Sequence, residues 1–187
     1  MITPAGSVAR RRSAPSVYVA LLRGVNVGGS GRLQMRELRE LFELLGFKDV
    51  RTLIQSGNVI FRAAQKPSPS KLQAAIAERF QVTSPVLLRT SSELAEIIRN
   101  DPFGDADRGF LHVGFMVAPV SAAELAALDV ERFAPERIAA FGTEMYFYLP
   151  EGMGNSKLAS YVSRRLGGSM TIRNWNTVTT LAELSGA

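Results

Sequence analysis

Residues Val50 to Ala63 read VRTLIQSGNVIFRA, two β-type runs flanking Ser56-Gly57. Glycine accepts the positive φ that a tight hairpin demands, so the stretch predicts two antiparallel strands joined at Ser56-Gly57. Upstream, VYVALL (Val17 to Leu22) is a short apolar run ahead of a glycine-rich segment, which predicts a buried strand. Between these strands Leu38, Leu41, Phe42 and Leu45 recur at three- and four-residue spacing and Gly46 follows, the pattern of an amphipathic helix with a glycine C-terminal cap. A second helix is expected from about Lys71 to Phe80, then a strand near Pro85 to Arg89. The order is βαββαβ.

The rest of the chain repeats that order. Thr90 and Glu93 form a capping box for a linking helix that ends before Asp101-Pro102. A strand at Phe110 to Val117, a short helix capped by Ser121 and Glu124, and strands at Arg137 to Phe141 and Met145 to Leu149 around Gly142-Thr143 follow. A helix from about Lys157 to Leu166 stops at Gly167-Gly168, Met170 to Ile172 closes the pattern, and Trp175, Val178, Leu181 and Leu184 are expected to line a terminal helix. Ser70-Lys71-Leu72 and Ser156-Lys157-Leu158 open helices 86 residues apart, the offset that also relates Phe61 to Phe147. The expected fold is α+β, with two tandem ferredoxin-like βαββαβ halves (17–90 and 110–187), a linking helix and loop (91–109), a C-terminal helix, and a disordered leader (1–16).

Composition bounds the function. With 187 residues, 46% hydrophobic and 21% charged, the chain can bury a core. It contains no cysteine, which excludes disulfides, thiolate metal sites and a thiol nucleophile and fits a reducing cytoplasm. Of the net charge of +5, three units belong to Arg10, Arg11 and Arg12, so the folded part is nearly neutral. No apolar run reaches the length of about 18 residues needed to span a membrane. His112 is the only histidine, so histidine-pair metal sites are excluded, and no GxSxG elbow supports a serine triad. Asp101, Asp105 and Asp107 lack EF-hand spacing. Neither a metal nor a cofactor is implied, and no catalytic set emerges.

The segments ALLRGVNVGG, MRELRELFELLGF, TLIQSGNVIF, GMGNSKL and RNWNT, spread over residues 17 to 184, together resemble the bacterial family called domain of unknown function 1697. That resemblance implies two ferredoxin-like halves and brings no assigned activity with it.

Four polar segments are candidate ligand sites, each with a plainer account beside it. Arg23-Gly24-Val25-Asn26-Val27-Gly28-Gly29 joins a strand to a helix and could aim backbone N–H groups at an anion, or could simply be a tight turn that Asn26 ties to itself. It matches neither the Walker nor the Rossmann pattern. Gly152 to Lys157 (GMGNSK) leads into a helix with Asn155 or Ser156 as cap and puts Lys157 in the first turn, where a cation opposes the helix dipole unless an anion compensates it. Gln55, Ser56 and Asn58 suit either a ligand or a turn. Arg173, Asn174 and Trp175 suit stacking and hydrogen bonding, or else Asn174 caps the last helix while Trp175 enters the core. The leading expectation is a module that binds a phosphate-bearing or other anionic small ligand, with the 23–32 and 152–157 loops sharing a cleft. The alternatives are nucleic-acid binding and a protein-interaction module with structural motifs. The RNA-recognition variant rests on Tyr18 as a stacking aromatic and lacks an RNP1 start. Asn26, Asn58 and Asn174 engaged in backbone capping would favour the interaction module.

Overall fold

A computed structural model describes residues 14–26, 33–166 and 170–187. The first half holds β1 (Ser16–Leu22), α1 (Met35–Leu44), β2 (Lys48–Leu53), β3 (Asn58–Ala63), α2 (Pro69–Phe80) and β4 (Val86–Thr90). After α3 (Ser91–Arg99) the second half runs β5 (Leu111–Met116), α4 (Ala122–Ala126), β6 (Arg137–Phe141), β7 (Glu144–Tyr148), α5 (Lys157–Arg165) and β8 (Met170–Asn174), and α6 (Trp175–Ser185) ends the chain. The expected leader and Gly167-Gly168 lie outside the described residues, save the leader's last three positions.

Each half forms one four-stranded antiparallel sheet, ordered β2-β3-β1-β4 and β6-β7-β5-β8. The two orders are the same when each half is numbered from its own first strand, so the class is α+β built from two repeated units. Side chains alternate across each sheet with the two-residue period of a strand. In the first half Tyr18, Ala20 and Leu22 face Leu38, Phe42, Leu72 and Ile76 on α1 and α2. Val19, Leu21, Ile60 and Leu87 on the opposite face join Leu94 and Ile97 of α3, Val113, Phe115 and Tyr146 of the second sheet, and Trp175, Val178 and Leu181 of α6. The second sheet's outer face packs Met145, Phe147 and Met116 on Leu158 and Val162 of α5. Both faces of both sheets are therefore covered, and the middle core belongs to the two halves together.

This layering corrects two expectations. Tyr18 is buried beneath the helices and stacks on Phe61 at 6.0 Å, so it presents no surface for a base. Leu184 does not join the apolar face of α6: it is 42% exposed, and Ala182 and Ser185 are buried in the same turn.

Local chemistry explains the element ends. Both capping boxes form, with Thr90 and Glu93 starting α3 and Ser121 and Glu124 starting α4. The cap of α2 is Ser68, which accepts from Lys71 N, rather than Ser70; Ser156 does cap α5. The Ser-Lys-Leu echo thus does not mark equivalent caps. β2 ends at Leu53, two residues earlier than the apolar run suggests, and Ile54 to Gly57 form the turn. Ile54 adopts φ 49°, a left-handed conformation that is costly for a β-branched side chain. Gly57, at φ 73°, closes the turn against Leu22 and Val25.

Candidate functional site

The polar motifs separate into two places. The first lies where the halves meet. Arg173 on β8 is 8% exposed and uses every guanidinium N–H: Nε donates to Asn58 Oδ1 at 2.7 Å, Nη2 to Leu22 O at 2.7 Å and Ser56 O at 2.8 Å, and Nη1 to Thr171 Oγ1 and Ile172 O, both at 2.9 Å. An arginine of the second half thereby holds the end of β1 and the β2–β3 turn of the first. Desolvation lowers its pKa to about 10, so it stays charged at neutral pH. The same device runs in the opposite direction. Arg89 on β4 donates to Glu144 Oε1 at 2.7 Å, to Met116 O at 3.0 Å at the end of β5, and to Thr143 Oγ1 at 3.0 Å in the β6–β7 turn. Each half's last strand clasps the other half's hairpin, the reciprocal contact of a two-fold arrangement.

Asn26, Gln55, Ser56 and Asn58 are drawn into the first clasp. Asn26, at φ 59°, donates through Nδ2 to Leu33 O and Gln55 O and accepts from Leu33 N, at 2.7 to 2.9 Å. Asn58 Nδ2 donates to Leu53 O at 3.1 Å and Ser56 Oγ at 3.0 Å. The strained Ile54 turn is thus held from three directions. Arg23 is fixed through its backbone, which bonds to Ser84 Oγ and Pro85 O at 3.0 Å. Gly24 is exposed with φ 66°. Gly28 and Gly29 lie outside the described residues. Asn174 accepts from Thr177 N at 2.8 Å as the cap of α6, and Trp175 is 4% exposed in the middle core with the Arg108 guanidinium 5.2 Å from its ring. Asn26, Asn58, Asn174 and Trp175 thus have occupations within the fold.

The second place is a cleft of about 410 Å³ at the start of α5. It is lined by Gly154, Asn155, Ser156 and Lys157 together with Arg132, Phe133, Ser160, Tyr161 and Arg164. Of the 23–32 loop, the described residues Arg23–Asn26 are not among those that line it, and the remaining positions up to Arg32 lie outside the described residues. Two first-turn amides of α5 are already engaged: Ser156 Oγ accepts from Ala159 N at 2.9 Å, and Glu136 Oε2 accepts from Leu158 N at 2.9 Å. Glu136 thus places a carboxylate of the protein at this terminus, where the helix dipole favours negative charge. Asn155 folds back, donating to Glu151 O at 3.1 Å. Lys157 and Arg164 are exposed and take part in no ion pair among the described residues, whereas Arg132 pairs with Asp129 at 3.5 Å. Arg132 lies over the rings of Tyr161 and Phe133, at 4.7 and 4.8 Å. Tyr161 has its pKa lowered, first by the hydrogen bond from Arg165 and then by the Asp129 amide and the charges of Arg165 and Arg132.

Sequence reading misses Arg132, Ser160, Tyr161 and Arg164, which occupy helix and turn positions with no motif. It also misses Arg89 as a clasp, although the duplication carries the signal: Arg89 and Arg173 are matching last-strand arginines. His112 is buried, and desolvation lowers its pKa. Among the described residues no group of three or more His, Asp or Glu is placed to hold a metal, and no helix is long and apolar enough to cross a membrane.

No curated protein matches the chain. Among solved structures it is similar to a conserved bacterial protein from Streptococcus pneumoniae, with 23% identity, a TM-score of 0.74, and coverage of 92% of this chain and 99% of that one. At that identity the likeness carries the fold. The family model described as "Protein of unknown function (DUF1697)" matches residues 16–146, which include the β2–β3 turn and the Glu144 clasp while the GMGNSKL and RNWNT segments lie beyond them. On that match the chain belongs to the DUF1697 family.

Proposed function

We propose that the chain binds a phosphate-bearing or other anionic small ligand in the cleft at the start of α5. One observation carries the reading: the cleft presents Arg132, Lys157 and Arg164 with the hydroxyls of Ser160 and Tyr161, and among the described residues no carboxylate lines it. Its volume falls within the range of small-molecule sites. With two α5 amides taken by Ser156 and Glu136, the ligand would be held by side chains rather than by the helix terminus. A thermal-shift titration with inorganic phosphate, pyrophosphate and nucleotides tests this on the wild type and on Lys157→Ala, Arg164→Ala and Arg23→Ala. Stabilisation that the first two variants weaken and Arg23→Ala leaves intact supports the cleft. Absence of stabilisation by every anion refutes it.

The interaction-module alternative has its own support, since Asn26, Asn58 and Asn174 are all engaged in the fold. A flat anion screen would leave that reading standing. The ferredoxin-like description of each half rests on its strand order, with the fourth strand beside the first and the third between the first and second.

A further inference from the structure

We infer that the cleft takes a linear oligophosphate of three or more phosphates rather than a single phosphate, an inference that rests on the anion-site reading above. Lys157, Tyr161 and Arg164 stand at i, i+4 and i+7 on α5, which aligns them in one stripe along the helix. A rise of about 1.5 Å per residue separates Lys157 from Arg164 by roughly 10 Å along the axis. Tyr161 lies between them, and the Arg132 guanidinium sits over its ring at 4.7 Å. Lys157 and Arg164 thus mark the two ends of a row along α5, and Arg132, paired with Asp129 at 3.5 Å, lies over the Tyr161 ring between them. A single phosphate at one end leaves the far cation without an anion, whereas a chain of phosphates laid along α5 meets Lys157 and Arg164 together and competes with Asp129 for Arg132. The row also bears on the rest of the ligand. Arg132 and Arg165 both lie over Tyr161, at 4.7 and 5.7 Å, so a base gains no stacking there. A free oligophosphate and the polyphosphate tail of a nucleotide present the same chemistry to the row.

Calorimetric titration of the full chain at matched ionic strength separates the cases, using phosphate, pyrophosphate, tripolyphosphate, adenosine triphosphate and a short single-stranded oligonucleotide. Two further exposed cation contacts predict that tripolyphosphate binds roughly tenfold more tightly than phosphate. Arg164→Ala removes one of the two contacts, which cuts the advantage to roughly threefold, and leaves phosphate binding at the Lys157 end within about twofold. Adenosine triphosphate matches tripolyphosphate if the chain alone is read; a large gain for the nucleotide would refute the absence of a base contact. Equal affinity for phosphate and tripolyphosphate overturns the oligophosphate inference and spares the anion site. Binding of none of the anions overturns both. An oligonucleotide that outcompetes tripolyphosphate assigns the row to nucleic acid and also overturns it. Lys157 and Arg164 are exposed, so an unchanged unliganded unfolding temperature establishes that their variants fold.

Discussion

Replacing Glu144 by glutamine should cost far less stability than replacing it by alanine, because the molecule already holds an equivalent arginine without a carboxylate. Arg89 and Arg173 are both 8% exposed, and in both the Nε donates at 2.7 Å, to Glu144 Oε1 in one case and to Asn58 Oδ1 in the other. Opposite charges about 4 Å apart attract by roughly 4 kcal/mol at an effective dielectric constant near 20, and desolvating two ions takes back several kcal/mol. The net value of the charge itself is therefore small. Glutamine keeps an oxygen for Arg89 Nε and for the Thr143 hydroxyl, which donates to Glu144 Oε1 at 2.9 Å. The change exchanges charge-assisted hydrogen bonds for neutral ones, which costs about 1 kcal/mol. Both variants lose the countercharge, but alanine also strips Arg89 Nε and the Thr143 hydroxyl of their shared acceptor, for a total loss of about 3–5 kcal/mol. In a domain of this size about 1 kcal/mol moves the unfolding temperature by ~2–4 °C, so the two variants separate clearly in a thermal or urea melt. Equal losses for Glu144→Gln and Glu144→Ala would refute the argument that neutral acceptors suffice.

Three other outcomes are expected. Gly57→Ala places a Cβ 2.5 Å from Val25 Cγ2 and 2.8 Å from Leu22 Cβ at φ 73°, and should lower the urea-unfolding free energy by about 2–4 kcal/mol; a change below about 0.5 kcal/mol would contradict the close approach of the turn to β1. Burial lowers the His112 pKa below 6.5, so the unfolded chain takes up the proton first: the contribution is complete above that value and is lost as pH falls through the folded pKa. The stability difference between about pH 7 and about pH 5.5 should shrink in His112→Gln, and an unchanged pH profile would count against it. Glu136→Ala removes the acceptor of Leu158 N and the anion facing the α5 terminus, for a loss of about 1 kcal/mol that Lys157→Ala partly relieves in the double variant; strict additivity would show that the two do not interact through that terminus.

The legible features were the local ones. The hairpin glycine at position 57, the three-and-four spacing of Leu38, Leu41 and Phe42, and the capping boxes at Thr90 and Ser121 act within a few residues, so the chain displays them directly. The clasps act across 55 residues for Arg89 with Glu144 and 115 for Arg173 with Asn58, and local pattern carries nothing at that range. Arginine is moreover expected at the surface, so an arginine pointing into a junction reads as solvated until a partner is known. At the α5 terminus, where Lys157 stands against the dipole, Glu136, 22 residues away from Leu158, brings in a carboxylate that no local pattern displays. The cleft's cations left a weaker trace, because arginines at 164 and 165 are also what the end of any helix favours.

The two clasps differ in chemistry because their turns differ in length. Two residues, Gly142 and Thr143, connect β6 to β7, so residue 144 has no turn carbonyl to tie and is free to be a carboxylate facing Arg89. The β2–β3 connection has four residues and bends through Ile54 in a left-handed conformation, which leaves Leu53 O to be satisfied from within the turn. The residue facing Arg173 must therefore donate to Leu53 O and Ser56 Oγ while accepting from the guanidinium, and among side chains of this length only asparagine does both. An aspartate at 58 would add charge beside Arg173 and set an acceptor against the Leu53 carbonyl. That no counter-ion faces the buried Arg173 among the described residues is thus a consequence of the turn, and it leaves the hairpin, the end of β1 and the second half tied together through neutral groups.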